Sequence, residues 1–280
     1  MLLNLSTRAK VGAGDQAMIG GFYVKGSGTV KVVIRGLGPS LPSFGVPKLG
    51  DPKLRLTYSN GTGITSNDDY GNLSQQDKNE LSSLGLTPSD PHEAALIWTL
   101  SAGGYTAIVE SQDGQYGIGL FEIYAIGDEQ TRLVNLSTRC LVGTGDEVAI
   151  AGTIIGNTSA DPSLPRPDRR ILMFGKGPSL AAFGLQGTLG NPQIQIAGTS
   201  LSNDNWKRID DDSGDGPGGC NAAATDACNA LQEKLDEAHL SPTNVLESAL
   251  WPTFTPGGYT VILSGENQST GIGLIEFYEY

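Results

Sequence analysis

Histidine, paired carboxylates, acidic clusters and cysteine are where chemistry would be sought in this 280-residue sequence. His92 and His239 are the only two histidines, and neither belongs to an HExxH or HxH pattern. A zinc centre or a Ser-His-Asp triad needs more than this. Gly175-Lys176-Gly177-Pro178-Ser179 superficially resembles a phosphate loop, but that motif requires Ser or Thr directly after Gly-Lys. It reads instead as a β-turn, like Gly36-Leu37-Gly38-Pro39-Ser40. Glu93 with Glu122 would be the acid pair of a glycosidase, against a structural reading in which Glu122 meets an arginine. The expectation is therefore a non-enzyme with no required cofactor.

Ca²⁺ is the one ion the sequence suggests. Asn67-Asp68-Asp69 and Asn203-Asp204-Asn205 offer oxygen ligands, and Asp211, Asp212 and Asp215 lie in an acidic Gly-containing run. That run is not an EF-hand, because its twelfth position is Ala222 where Glu is needed. A solvated acidic turn is the plainer reading. Cys220 and Cys228 are close enough in sequence to form a small disulfide-closed loop in an oxidising compartment. Cys140, which replaces Ala9 of an equivalent strand, reads as a small core residue.

The elements that carry these residues occur twice. Asn4-Leu5-Ser6-Thr7-Arg8 returns 131 residues later as Asn135-Leu136-Ser137-Thr138-Arg139. Gly38-Pro39-Ser40-Leu41 returns as Gly177-Pro178-Ser179-Leu180, and Ser66-Asn67-Asp68 as Ser202-Asn203-Asp204. Gly103-Gly104-Tyr105-Thr106 and Gly117-Ile118-Gly119-Leu120 both return 154 residues later. The spacing changes only where one copy gains or loses a loop, so the chain divides into copies at 1–127 and 128–280. Copy 2 carries a Cys-containing insertion at 207–230.

Within copy 1, residues 3–8, 17–24, 30–34, 53–57, 64–66, 94–100, 105–109 and 118–124 have the alternation or β-branched content of strands. Thirty-nine Gly and fifteen Pro, spread along the chain, suit tight turns between short strands. The expected fold is all-β, two tandem jelly-roll-like β-sandwich domains of about eight strands, each with one short helix. In copy 1 the helix is capped by Ser74, carries Leu81 and Leu84, and stops at Gly85. In copy 2 it is capped by Thr225 or Asp226 and carries Leu231, Leu235 and Ala238. Period two places Leu120, Glu122 and Tyr124 on one face. An unpaired carboxylate there is costly, which predicts ion pairs Arg8–Glu122 and Arg139–Glu276 between first and last strands.

The blocks NLSTRA.VG.GD, GPSL..FGV, NDNW, PGGYT and GIGL.E.Y resemble a tandem β-rich repeat of secreted and surface proteins of environmental bacteria. That resemblance covers nearly the whole chain, twice, and implies an extracellular module. Copy 2 departs from copy 1 at Phe174, where copy 1 has Arg35.

Composition narrows the partners. Eighteen Lys+Arg against thirty Asp+Glu give a net charge of −12, which opposes binding to nucleic acid or anionic lipid. No run of about 18 apolar residues predicts membrane insertion, and Met1-Leu2-Leu3-Asn4 lacks the regions of a secretory leader. Both ends fall on repeat strands, which predicts an extracellular structural subunit that meets copies of itself head to tail, continuing the packing between its own two copies. The alternative is a polysaccharide-binding or adhesion module, with Tyr70 and Trp206 stacking on sugar rings, where the plainer reading has them plug the sandwich.

Overall fold

The computed structural model describes residues 2–42, 45–126, 131–156, 168–206, 232–233, 235–237 and 239–279. The expected all-β class holds. Copy 1 supplies β1 (Leu2–Val11), β2 (Met18–Leu37), β3 (Pro52–Tyr58), β4 (Gly63–Asn67), β5 (Ala94–Ser111) and β6 (Gly117–Ile126). Copy 2 supplies β7 (Arg132–Val142), β8 (Ala149–Ile155), β9 (Arg169–Lys176), β10 (Pro192–Ile196), β11 (Ser202–Asn203), β12 (Ser248–Leu250), β13 (Thr253–Phe254), β14 (Gly257–Gly265) and β15 (Gly271–Glu279).

All eight strand segments expected in copy 1 are present, but two pairs of them are fused. β2 runs through the Lys25-Gly26-Ser27-Gly28 corner with a register shift between Val24 and Thr29. Gly26 permits it with φ of 145°, a conformation that side chains disfavour. β5 bends at Gly103, so each of these long strands serves two layers. The first layer has the order β4, β3, residues 103–111 of β5, residues 18–24 of β2, β7, β15, β9, β12. The second has the order residues 94–101 of β5, residues 29–37 of β2, β6, β1, β8, β14, β10, β11. Each layer takes four strand positions from each copy, β13 continuing β12 along β9. The boundary at residue 127 thus separates the copies in sequence, while both layers cross it in space.

The layers enclose one continuous apolar core that includes Leu5, Leu54, Val109, Phe121, Ile194 and Leu263, all essentially inaccessible to solvent. Gly20 lies under the Phe121 ring, where a Cβ would come within 2.3 Å of it. That missing side chain sets how closely the layers approach.

The copies meet through reciprocal bonds. β1 pairs with β8, and in the mirror arrangement β7 pairs with β2. Thr7 and Thr138, equivalent residues, bond hydroxyl to hydroxyl at 2.8 Å and mark a local two-fold axis. Ser6 donates to the Gly152 carbonyl and Ser137 to the Gly21 carbonyl, both at 3.3 Å. Arg8 donates to the Asp146 carbonyl and Arg139 to the Asp15 carbonyl. A two-fold interface uses the same patch on both partners and is closed. Within one chain each copy thus occupies the other's patch.

The copy 1 helix forms as expected. α1 (Gln75–Ser83) begins where the Ser74 hydroxyl accepts the Asp77 amide, and Gly85 follows its end with φ of 68°. Leu81 buries against Val33 and Ala95, so the helix covers the outer face of the second layer. In copy 2, residues 232–233 and 235–237 are helical, and Leu235 packs with Phe174 and Trp206. Thr225, Asp226, Leu231 and Ala238 lie outside the described residues.

Candidate functional site

The repeated polar residues hold strands. Glu93 and Glu247 are completely buried equivalents. Glu93 Oε1 accepts the Gly38 and Ser40 amides at 3.1 Å and the Ser40 hydroxyl at 2.6 Å. Glu247 Oε1 takes the Gly177 and Ser179 amides and the Ser179 hydroxyl in the same way. The Gly-Pro-Ser turns thus form nests of amide groups, like those that cradle anions, but a carboxylate of the chain fills each one. A Cβ at Gly38 or Gly177 would lie about 2 Å from the Leu49 or Leu189 carbonyl oxygen, which fixes glycine there. Glu93 is therefore committed to its turn through Oε1, while Glu122 is held by Arg35. The glutamate of each nest is a repeated feature that the sequence reading missed, although Glu93-Ala94-Ala95 and Glu247-Ser248-Ala249 are 154 residues apart.

The expected ion pairs are corrected. Glu122 pairs with Arg35, which stands directly opposite on β2, and also accepts the Tyr124 hydroxyl. Glu276 pairs with Lys176 at 2.6 Å. Arg8 and Arg139 turn instead to the carbonyls across the two-fold. In copy 2, Phe174 takes the place of Arg35, and the cation moves two residues along the strand to Lys176. Burial is the main cause that raises the Tyr124 hydroxyl above its ordinary pKa, with the Glu122 charge second. Burial likewise raises Tyr278 strongly, and it pushes the Cys140 thiol up to about 12. Cys140 is a core residue, as expected.

The Asn-Asp blocks are also structural. Asn67 Oδ1 accepts the Ala95 amide at 2.9 Å and Asn203 Oδ1 accepts the Ala249 amide at 2.8 Å. The Tyr70 and Trp206 amides donate to the Glu93 and Glu247 carbonyls. The Trp206 ring is only 7% exposed, packs on Phe174 and donates to the Asn244 carbonyl, so it has no face for a sugar. Tyr70 is half-buried beside Leu81. The glycan contact expected at Trp206 is corrected accordingly, and the Tyr70 ring takes part in packing with one part left exposed. No group of three His, Cys, Asp or Glu suited to a metal is present among the described residues. Asp211, Asp212, Asp215, Cys220 and Cys228 lie outside them.

One feature of copy 1 is set apart by wall residues that do not recur in copy 2. An open cleft of about 470 Å³ lies where β3 ends and β5 bends, walled by Tyr58 from one layer and Trp98 from the other. Tyr58 is 48% exposed and Trp98 40%. Ser59, Asn60, Thr99 and Ser101 add hydroxyl and amide groups, and none of its lining residues is charged. Its floor is part of the fold. Tyr105 donates to the Ser101 carbonyl, as Tyr259 does to the Thr255 carbonyl, and Gly103-Gly104 recurs as Gly257-Gly258. The walls do not recur, because strand register and repeat spacing place Gly198 opposite Tyr58 and Pro252 opposite Trp98 in the comparison of copies. No protein-family model matches the sequence, and no curated protein matches it.

Proposed function

We propose that the chain is a non-catalytic structural subunit of an extracellular assembly, each copy a jelly-roll-like sandwich fused to the other, with chains joined head to tail. The observation that supports this is the run of both layers through both copies to strands open on one side. At the copy 1 end these are β4 and residues 94–101 of β5. At the copy 2 end they are β12 and β11. Among the described residues each has a strand partner on one side only. Such edges are templates for another chain. Apposing the copy 2 end of one chain to the copy 1 end of the next would extend both layers. That contact is heterologous, so it propagates when rotation does not close a ring.

Part of each edge is already blocked. Asn67 covers the Ala95 amide on the open side of β5, and Asn203 does the same for Ala249 on β12. Alternation along the strand points the Ile97 and Thr99 amides the same way as that of Ala95. These are the groups an added strand would meet. Electron microscopy of native material, with light scattering on the same sample, is the test. The expected result is ordered polymers of one chain. A single species near the chain mass of 29.3 kDa at all concentrations would overturn the reading.

A further inference from the structure

We propose that the Tyr58–Trp98 cleft binds a neutral polysaccharide chain. This goes beyond the assembly reading and does not rest on it. The duplication acts as an internal control. The floor of the cleft recurs in copy 2 and therefore belongs to the fold. The two exposed rings do not recur, and copy 2 folds with Gly198 and Pro252 in their places. Tyr23, 47% exposed and beside Gly104, follows the same pattern, since its counterpart is Ile154. Exposed aromatic rings that the architecture does not need mark recognition surfaces.

The chemistry of the lining selects the ligand class. Sugar rings present apolar C–H faces and a rim of hydroxyls. Tyr58 and Trp98 supply flat apolar surface, while Ser59, Asn60, Thr99 and Ser101 supply hydrogen-bonding groups for the rim. The Tyr58 ring is steadied from beneath by Tyr105, their centroids 5.8 Å apart, and Tyr105 in turn stacks on Phe22 at 5.6 Å. The absence of charge in the lining, in a chain of net charge −12, leaves nothing to neutralise an anionic ligand. The cleft is open to solvent, so a polymer can lie across it without its ends being enclosed.

The test is affinity electrophoresis of the full chain in xyloglucan, galactomannan and soluble starch, with polygalacturonate as the anionic comparison. Tryptophan fluorescence titration supplies affinities for the chains that keep Trp98, which is exposed while Trp206 is buried and Trp251 half-buried, and retardation against polysaccharide concentration supplies them for the Trp98 variants. Retardation by at least one neutral polysaccharide is expected. Trp98→Ala and Tyr58→Ala should each weaken it by about tenfold. Trp98→Phe, which keeps a ring, should stay within about threefold of the unaltered chain. Tyr116→Ala removes an equally exposed ring outside the cleft and should change nothing. Matching thermal unfolding of all variants excludes loss of fold. Failure to bind any neutral polysaccharide, binding to polygalacturonate alone, or binding indifferent to both Tyr58 and Trp98 would each overturn the proposal. So would an effect of Trp98→Ala confined to association between chains, which would make the cleft a protein contact.

Discussion

Copy 1 and copy 2 solve the same structural problems, and the differences between them separate what the fold requires from what it permits. Both copies place a buried glutamate in a Gly-Pro-Ser turn, an asparagine over an open strand edge and an arginine across the two-fold. They diverge at the charge partner of the last strand, Arg35 in one copy and Lys176 in the other. They diverge again at the rings of the cleft, which copy 2 lacks. The first difference conserves a function of the fold by another route. The second has no structural compensation, which is why recognition is assigned there.

If the glutamate nests are equivalent, they should fail equally. Glu93→Ala removes the acceptor of two amides and a hydroxyl, and each stranded buried donor costs about 1–3 kcal/mol. A loss on the order of 4 kcal/mol is expected, and Glu247→Ala should match it within about 1 kcal/mol, by urea unfolding. A large loss at one site and none at the other would break the equivalence.

The cation swap allows a sharper comparison. Arg35→Phe installs the residue of copy 2 and leaves Glu122 buried without its partner, at a cost of about 3 kcal/mol. Adding Leu37→Lys places a cation at the position of Lys176; because Leu37 is buried, the substitution alone is costly, and the double variant should be more stable than the sum of the two single losses. No recovery would mean that the two ion pairs are not interchangeable solutions.

Cys140 and Ala9 form the mildest contrast. The thiol titrates near 9 when unperturbed and near 12 in the fold, so it binds its proton more tightly when folded. Its contribution is fully present below about pH 9 and is lost as pH rises toward 12. Unfolding free energy should fall by about 1 kcal/mol between pH 8 and 10 on this account. Cys140→Ala, which copies Ala9, should flatten that slope, leaving the alkaline contribution of Tyr105, Tyr124 and Tyr278. An unchanged slope would show that the thiol is already titratable in the folded chain.

Much of the local structure was legible because alternation and caps act locally. The segments of copy 1, the Ser74 cap and the Gly85 stop follow directly from side-chain types. The fused strands were hidden because Lys25-Gly26-Ser27-Gly28 has the composition of a turn, yet the strand passes through it by a glycine conformation and resumes pairing after a register shift. Cross-copy pairing was hidden for a deeper reason. Duplication reveals that two strands are alike, but not which copy each will pair with. Arg8 and Glu122 do share an outer face, two positions out of register. The sequence could not show that Arg35 stands directly opposite Glu122 on its other side. Of the candidate site, the floor announced itself through Gly103-Gly104-Tyr105. Its walls were legible only as aromatic residues without counterparts, a signal that required the structural alignment of β3 with β10.

The two copies form one body through a closed two-fold interface. Its most direct test is to place a protease site between residues 127 and 131, cut the folded chain there, and follow the halves by native mass and urea unfolding. The cut halves are expected to stay together at the mass of the intact chain and to unfold in one transition. Halves that separate into stable, independently folded monomers would contradict it.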